Sequence, residues 1–290
     1  MPTASLSDRP ASFGRLLTDR VAATPDRTAF LSPDAGTPSG WRSLTWAETG
    51  ERATELAAGL LSLGIEIEDR VAIASSTRLE WILADLAVMC AGGATTTIYP
   101  TTKQDDVTFI LRDSGSVVVF AENDDQIAKL TGTDLPDVRT IVTFDGTTDG
   151  HRVLSMDQLA ERGRALLAER PTAVTDRIAG LEPEHLATLI YTSGTTGVPK
   201  GARLVHDNWT YEGAAVDAIG ILSPDDVQYL WLPLSHVFGK VLLAIQLTIG
   251  FATAVDGDLD RIVANLASSR PTFMAGAPRI FEKVRAKVTL

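Results

Sequence analysis

Apolar and polar positions along this chain switch repeatedly between a helical and an extended period. Residues 47–63 carry apolar side chains at helical spacing and run into Gly64, which predicts an amphipathic helix closed by glycine. Residues 70–75 then read as a short apolar strand. A helix over 80–91 stops at Gly92-Gly93, and the threonine-rich 94–99 returns as a strand. Val107, Ile110, Leu111 and Ser114 mark one face of the next helix, closed by Gly115, before the wholly apolar 117–121. Residues 139–144 and 186–191 add two strands, with a helix over 156–167 between them. Strands separated by helices predict an α/β fold with largely parallel sheets packed by helices on their faces. Residues 32–40 and 131–150 hold the turn-forming residues of surface loops, and 171–183 reads as an internal linker. No repeat is visible.

Composition narrows the class. At 290 residues the chain can bury one large core or two modest ones. The net charge of −11 argues against nucleic acid or an anionic membrane as the main partner. One cysteine, Cys90, excludes an internal disulfide, fits a reducing compartment and lies in an apolar stretch, as a small core residue would. The first nine residues contain no apolar run of the kind a secretory leader needs. The greasiest segment, 241–255, is interrupted by Gln246, Thr248 and Thr253 and falls short of a membrane span. A cytoplasmic protein is expected.

The densest chemistry is the segment Tyr191-Thr-Ser-Gly-Thr-Thr-Gly-Val-Pro-Lys-Gly201. Glycines let the main chain approach a ligand closely, and successive N–H groups with Ser and Thr hydroxyls make an anion cradle. Lys200 adds a point charge of the kind that binds phosphate. A turn rich in glycine and threonine with one lysine is by itself ordinary surface; the density of hydroxyls and the Pro-Lys-Gly ending set this one apart. It is no Walker A loop, because Gly197 is followed by Val198 and Pro199. The flanking runs 186–191 and 201–205 both read as strands, so the loop is expected to link two strands. A helix over 209–219 follows, with His206, Asp207 and Asn208 as N-cap candidates.

At these residues the chain resembles the adenylate-forming (AMP-binding) superfamily of acyl-CoA synthetases, peptide-synthetase adenylation domains and luciferases. The family loop [YF]-T-[ST]-G-[ST]-[ST]-G-x-P-K-G is matched throughout by 191–201. Leu232-Pro-Leu-Ser-His-Val-Phe238 is similar to the family's second motif. Ala277-Pro-Arg-Ile-Phe-Glu-Lys283 is similar to a segment of the long-chain fatty acyl-CoA synthetase branch, although its charges also suit the solvated face of a helix started by Pro278. Leu44-Thr-Trp-Ala-Glu48 and Asp69-Arg-Val-Ala-Ile73 fit the usual opening. The resemblance covers residue 13 onward. It implies a flexible 1–12, then the N-terminal part of the family's large domain over 13–290, with a subdomain break near 171–183.

The resemblance implies a two-step reaction. A carboxylate attacks the α-phosphate of ATP, and the thiol of coenzyme A then displaces AMP. It implies that Thr192, Ser193, Gly194, Thr195, Thr196, Gly197 and Lys200 hold the phosphates, with Thr192 beside Mg²⁺. It implies that His236 sits by the reacting carboxylate and orients the acyl substrate; a free carboxylate needs no general base. The apolar helix expected over 241–251 either borders an aliphatic pocket or fills the core, and both readings stand. His206 is expected as a helix cap, and His151 and His185 without chemistry. Complete family members are about twice as long, with the adenine, ribose and acidic metal-binding segments and a small C-terminal domain still to come. The expected function is an acid–thiol ligase for long-chain fatty acids. The alternatives are adenylation of an aryl or amino acid, or a catalytically inactive nucleotide-binding or interaction module. The expected partners are small molecules, with no nucleic acid and no spanning helix; peripheral membrane contact and oligomeric state stay open.

Overall fold

The computed structural model describes residues 6–193 and 199–276. Along the chain run α1 (Phe13–Ala23), β1 (Thr28–Pro33), β2 (Trp41–Thr45), α2 (Trp46–Ser62), β3 (Arg70–Ala74) and α3 (Leu79–Cys90). Next come β4 (Ala94–Ile98), α4 (Gln104–Ser114), β5 (Val118–Ala121), α5 (Asp124–Thr131), β6 (Thr140–Thr143) and β7 (Val153–Ser155). Then follow α6 (Met156–Glu169), α7 (Ala173–Ala179), β8 (Leu186–Ser193), β9 (Pro199–Val205) and α8 (His206–Ile219). The last are β10 (Val227–Leu230), α9 (Val237–Ile249), β11 (Ala252–Val255) and α10 (Ile262–Ser269).

Two sheets form. The larger has the order β7-β6-β5-β3-β4-β8-β9 and is parallel except for β9, which pairs antiparallel with β8. The smaller has the order β10-β11-β1-β2, with only β2 antiparallel. This is the expected α/β class. From β3 the chain steps to β4 on one side and then crosses to β5 on the other. Such a reversal leaves a crevice at the carboxyl ends of the strands, where α/β proteins bind ligands.

Because side chains alternate along a strand, Val71 and Ile73 enter one core while Ala72 and Ala74 enter another. The second core is closed by α4 and α5, through Val107, Ile110, Leu111, Ile127 and Leu130. The first fills the space between the two sheets and takes in side chains of α1, α2, α3, α6, α7, α8 and α9. Burial on both faces explains the continuous apolar runs of the central strands.

Local chemistry sets several boundaries. Thr45 and Glu48 form a reciprocal capping box at the start of α2, with Thr45 N–H donating to Glu48 Oε2 at 2.8 Å. Those hydrogen bonds from Thr45 hold the Glu48 carboxyl below its ordinary range. Gly163 lets α6 cross α2 closely, since a Cβ there would meet the Glu55 carbonyl oxygen at 1.8 Å. The four residues expected on the inner face of α4 are its buried residues. Cys90 is buried, and burial pushes its thiol up to about 12, so it packs without reacting.

The helix expected over 241–251 is present as α9, which gives way at Gly250, whose φ of +92° turns the chain into β11. Two expectations change. The stretch 171–183 contains α7, whose Val174 and Ile178 are buried. His206 does not cap α8 but is its first residue, fully buried, with Nδ1 accepting the Phe13 N–H at 3.3 Å. The cap is Val205, whose N–H donates to Asn208 Oδ1.

Candidate active site

The site is built from the carboxyl end of β8 upward. Leu186 to Tyr191 are buried between β4 and β9, and Thr192 is the first exposed residue of the strand. The antiparallel register sets Thr192 opposite Lys200 and Tyr191 opposite Gly201. Directly opposed residues lie on the same face, so the Thr192 hydroxyl and the Lys200 side chain are cross-strand neighbours, both exposed. The expected loop between two strands is therefore the tip of a hairpin. Gly194, Thr195, Thr196 and Gly197, together with the side chain of Ser193, lie outside the described residues, as does 277–283.

One step back, Tyr191 points to the opposite face. Its hydroxyl donates to Asp113 Oδ2 at 2.6 Å, which pins the hairpin to α4. Burial, and then that carboxylate, raise the phenol well above its usual range. A Cβ at position 201 would crowd the Tyr191 ring at 3.0 Å.

The second part comes from β10. Residues 232–235 form a turn that ends at His236, the N-cap of α9. Thr77, just beyond β3, holds this turn twice: its hydroxyl donates to the Leu232 carbonyl at 2.8 Å and accepts the Leu234 N–H at 3.1 Å. Thr97 of β4 holds it again, donating to the Ser235 carbonyl at 3.0 Å. The turn is thereby docked over the carboxyl ends of β3 and β4. Gly239 is required beneath it, because a Cβ there would meet the Pro233 carbonyl at 2.4 Å. His236 is exposed, and its Nδ1 accepts the Phe238 N–H at 3.2 Å. In the neutral imidazole this leaves the ring proton on Nε2.

The parallel register brings the two parts to one side. Thr95 and Thr97 of β4 pair with Thr188 and Ile190 of β8. Thr95 and Thr97 reach Asp85 and the Ser235 carbonyl on the inter-sheet side, and Lys240 of α9 reaches Thr188 from there. Side chains two apart share a face, so Thr192 points to the side on which α9 and His236 lie. Thr192, Lys200 and His236 thus share the carboxyl-end rim of the larger sheet. No reading of the sequence singled out Thr77, Thr97, Asp85 or Lys240. The usable signals were a lysine entering an apolar helical run and an aspartate inside the apolar stretch 81–91.

The donor set at the rim is a hydroxyl, an ammonium and an imidazole. Among the described residues, no group of three or more His, Cys, Asp and Glu could hold a metal ion. Such a donor set suits a polyanion.

An α/β fold with a hydroxyl- and lysine-bearing hairpin and a histidine turn at the carboxyl ends of its strands defines the class of α/β proteins that bind ligands at a strand-end crevice. The chain belongs to the AMP-binding enzyme family, whose model matches residues 17–289. It is 36% identical over 253 residues to the long-chain-fatty-acid–CoA ligase FadD15 of Mycobacterium bovis, covering 84% of this chain and 40% of that relative. The fatty acyl-CoA synthetase A of Dictyostelium discoideum is 28% identical over 264 residues, 87% of this chain and 38% of that protein. The chain therefore spans well under half the length of these curated relatives. Among solved structures, the inhibitor-bound N-terminal domain of FACL13 from Mycobacterium tuberculosis aligns with a TM-score of 0.77 at 24% identity, over 95% of this chain and 65% of that one. The anthranilate CoA ligase AuaEII, solved with anthranoyl-AMP, aligns with a TM-score of 0.77 at 22% identity, over 94% of this chain and 51% of that one. These two likenesses are of fold. No helix among the described residues is long and apolar enough to cross a membrane.

Proposed function

We propose that this chain supplies the phosphate-holding and acyl-orienting parts of an acid–thiol ligase. The ligase activates a long-chain fatty acid with ATP and transfers the acyl group to coenzyme A in the cytoplasm. What supports the reading most is the cross-strand pair Thr192–Lys200, which closes a loop of the family's phosphate-binding sequence on the same rim as His236. The fatty acid is inferred from the long-chain ligases to which the chain is similar.

In this reading a carboxylate oxygen attacks the α-phosphorus and the α–β anhydride bond breaks, releasing pyrophosphate. An anion meets a polyanion, so positioning and charge neutralisation do most of the catalysis. The Lys200 ammonium and the Thr192 hydroxyl, with the donors of 193–197, stabilise charge growing on the leaving pyrophosphate. Mg²⁺, when bound, would neutralise phosphate charge further, with Thr192 Oγ1 as its protein oxygen. The His236 Nε2 proton orients an oxygen of the acid. In the second step the thiol sulfur attacks the acyl carbon, its proton leaves to solvent, and AMP departs.

The test is acid-dependent exchange of labelled pyrophosphate into ATP, by the whole polypeptide its reading frame encodes, with palmitate, benzoate and amino acids compared. Exchange with palmitate, falling at least tenfold in Lys200→Ala, supports the reading. Exchange with benzoate or an amino acid alone moves the substrate class, and none with any acid in a folded protein leaves a nucleotide-binding role.

A further inference from the structure

The Lys240 side chain lies in the middle of the layer between the sheets. It and Asp85 of α3 are both 0% exposed, with Nζ 2.9 Å from Asp85 Oδ1. Nζ also donates to Thr188 Oγ1 of β8 at 2.9 Å. The same threonine oxygen accepts Trp209 Nε1–H at 3.1 Å, and Asp85 Oδ1 accepts the Thr95 hydroxyl at 2.6 Å. The ammonium stands 5.1 Å from the Trp209 ring centre and 6.0 Å from that of Trp81. One cation thus joins α3, α9 and β8, and through its partners β4 and α8.

This network is poorly made as a source of stability. Among the described residues Asp85 Oδ2 is buried without a partner, and a half-satisfied polar network packs less favourably than an apolar core. Buried ion pairs can often be replaced by apolar side chains of similar size without loss of stability. What the pair does supply is a single fixed register. Lys240 lies one helical turn after His236, and its N–H reaches the His236 carbonyl. Thr188 lies four residues before Thr192 on the same face of β8, about 13 Å along the strand. Beside the Thr77 and Thr97 bonds to the histidine turn, this one side chain therefore ties the helix behind His236 directly to the strand that carries Thr192.

Building on the site reading given under Proposed function, we propose that Lys240 is a positioning residue. Shared between Asp85 and Thr188, it fixes the helix that begins at His236 against the strand that ends at Thr192, and so sets the separation of the acyl-orienting and phosphate-holding groups.

The test uses the whole polypeptide with Lys240→Met/Asp85→Leu, which removes both charges, and with Lys240→Arg. The double variant should unfold at or above the parent's temperature. Its kcat for pyrophosphate exchange should nevertheless fall on the order of 10- to 100-fold, with KM for ATP within about twofold, as small misplacements do. Lys240→Arg should recover most of that rate. Spin labels on cysteines introduced at 192 and 236, with Cys90 buried and unlabelled, should give one narrow distance in the parent and a broadened or shifted one in the double variant. Parent-like kcat and parent-like label distance in the stable double variant would overturn the proposal. If the parent itself shows no exchange with any acid, the ligase reading fails, and the label distance alone decides whether Lys240 sets the separation.

Discussion

The two faces of the larger sheet are sealed with different chemistry. On the outer face, α4 and α5 lay Val107, Ile110, Leu111, Ile127 and Leu130 over Ala72, Ala74, Val119 and Ile141, an aliphatic layer. On the inner face the apolar core encloses Lys240, Asp85 and His206, and among the described residues Trp81 Nε1, Asp85 Oδ2 and His206 Nε2 have no hydrogen-bond partners. The outer layer needs only volume and pattern to pack. The inner one must also set the registers between two sheets and the helices among them, and the candidate site lies on that side. Among the described residues the inner face thus buries an ionic pair where relative position matters, whereas buried polar side chains on the outer face, such as Thr96 and Ser114, are neutral.

This contrast can be broken most sharply at Lys240. Lys240→Met alone should cost about 3–5 kcal/mol by leaving the Asp85 carboxylate buried and uncompensated. Equilibrium urea unfolding measures it, and a cost under 1 kcal/mol would mean the pair is already hydrated. On the outer face, Leu111→Ala should cost about 2–5 kcal/mol through a cavity, with nucleotide affinity unchanged, because Thr192, Lys200 and His236 lie on the other side of the sheet. Loss of nucleotide binding at retained fold would join the two faces functionally.

The inner face should also carry an acid-side pH dependence. Burial first, then the charges of Lys240 and His185, lower His206 from 6.5 to about 4. Between those values the unfolded chain binds the proton and the folded one does not. Stability should thus be full above pH 6.5 and lose about 3 kcal/mol as pH falls to about 4. His206→Asn, which keeps an acceptor for the Phe13 N–H, should flatten that slope in unfolding titrations. The smallest effect expected is at the start of α2, where Thr45→Ala should cost about 1 kcal/mol by opening the capping box. A thermal melt unchanged by that substitution would assign the helix start to packing alone.

What was legible in the sequence followed local period rather than face: inner helices such as α2 and α3 were expected, and α5 on the outer face was not. Strands β3, β4 and β5 with helices α3 and α4 follow local period and stop at glycines, so the pattern predicts each of them. So does the hairpin character of β8 and β9. By contrast α1, β1 and β2 were not foreseen, because their burial is set by distant partners: β1 pairs with β11, more than 200 residues later. The helix over 241–251 was expected, but β11 directly behind it was not, since wholly buried helices and strands share one apolar composition. His206 looked like a cap by residue type, but its role comes from Phe13 at the other end of the chain. At the candidate site, Thr192, Lys200 and His236 were suggested by a motif. Those that hold them, Thr77, Thr97, Asp85 and Lys240, are ordinary residue types made important only by long-range contact.

Thr77 has a consequence for the order of assembly. Its hydroxyl grips Leu232 and Leu234, some 155 and 157 residues away, and its carbonyl accepts the Gly257 N–H. Closing so long a loop is slow relative to local structure, and it gains contacts only once both ends are already shaped. As the chain emerges from the ribosome, β3, α3, β4 and α4 can pair and pack while residues 232–257 are still unmade. The histidine turn can take its native form only afterwards. Folding therefore completes the rim last, and a chain whose synthesis halts before residue 257 would present most of the larger sheet without its histidine turn fully clasped.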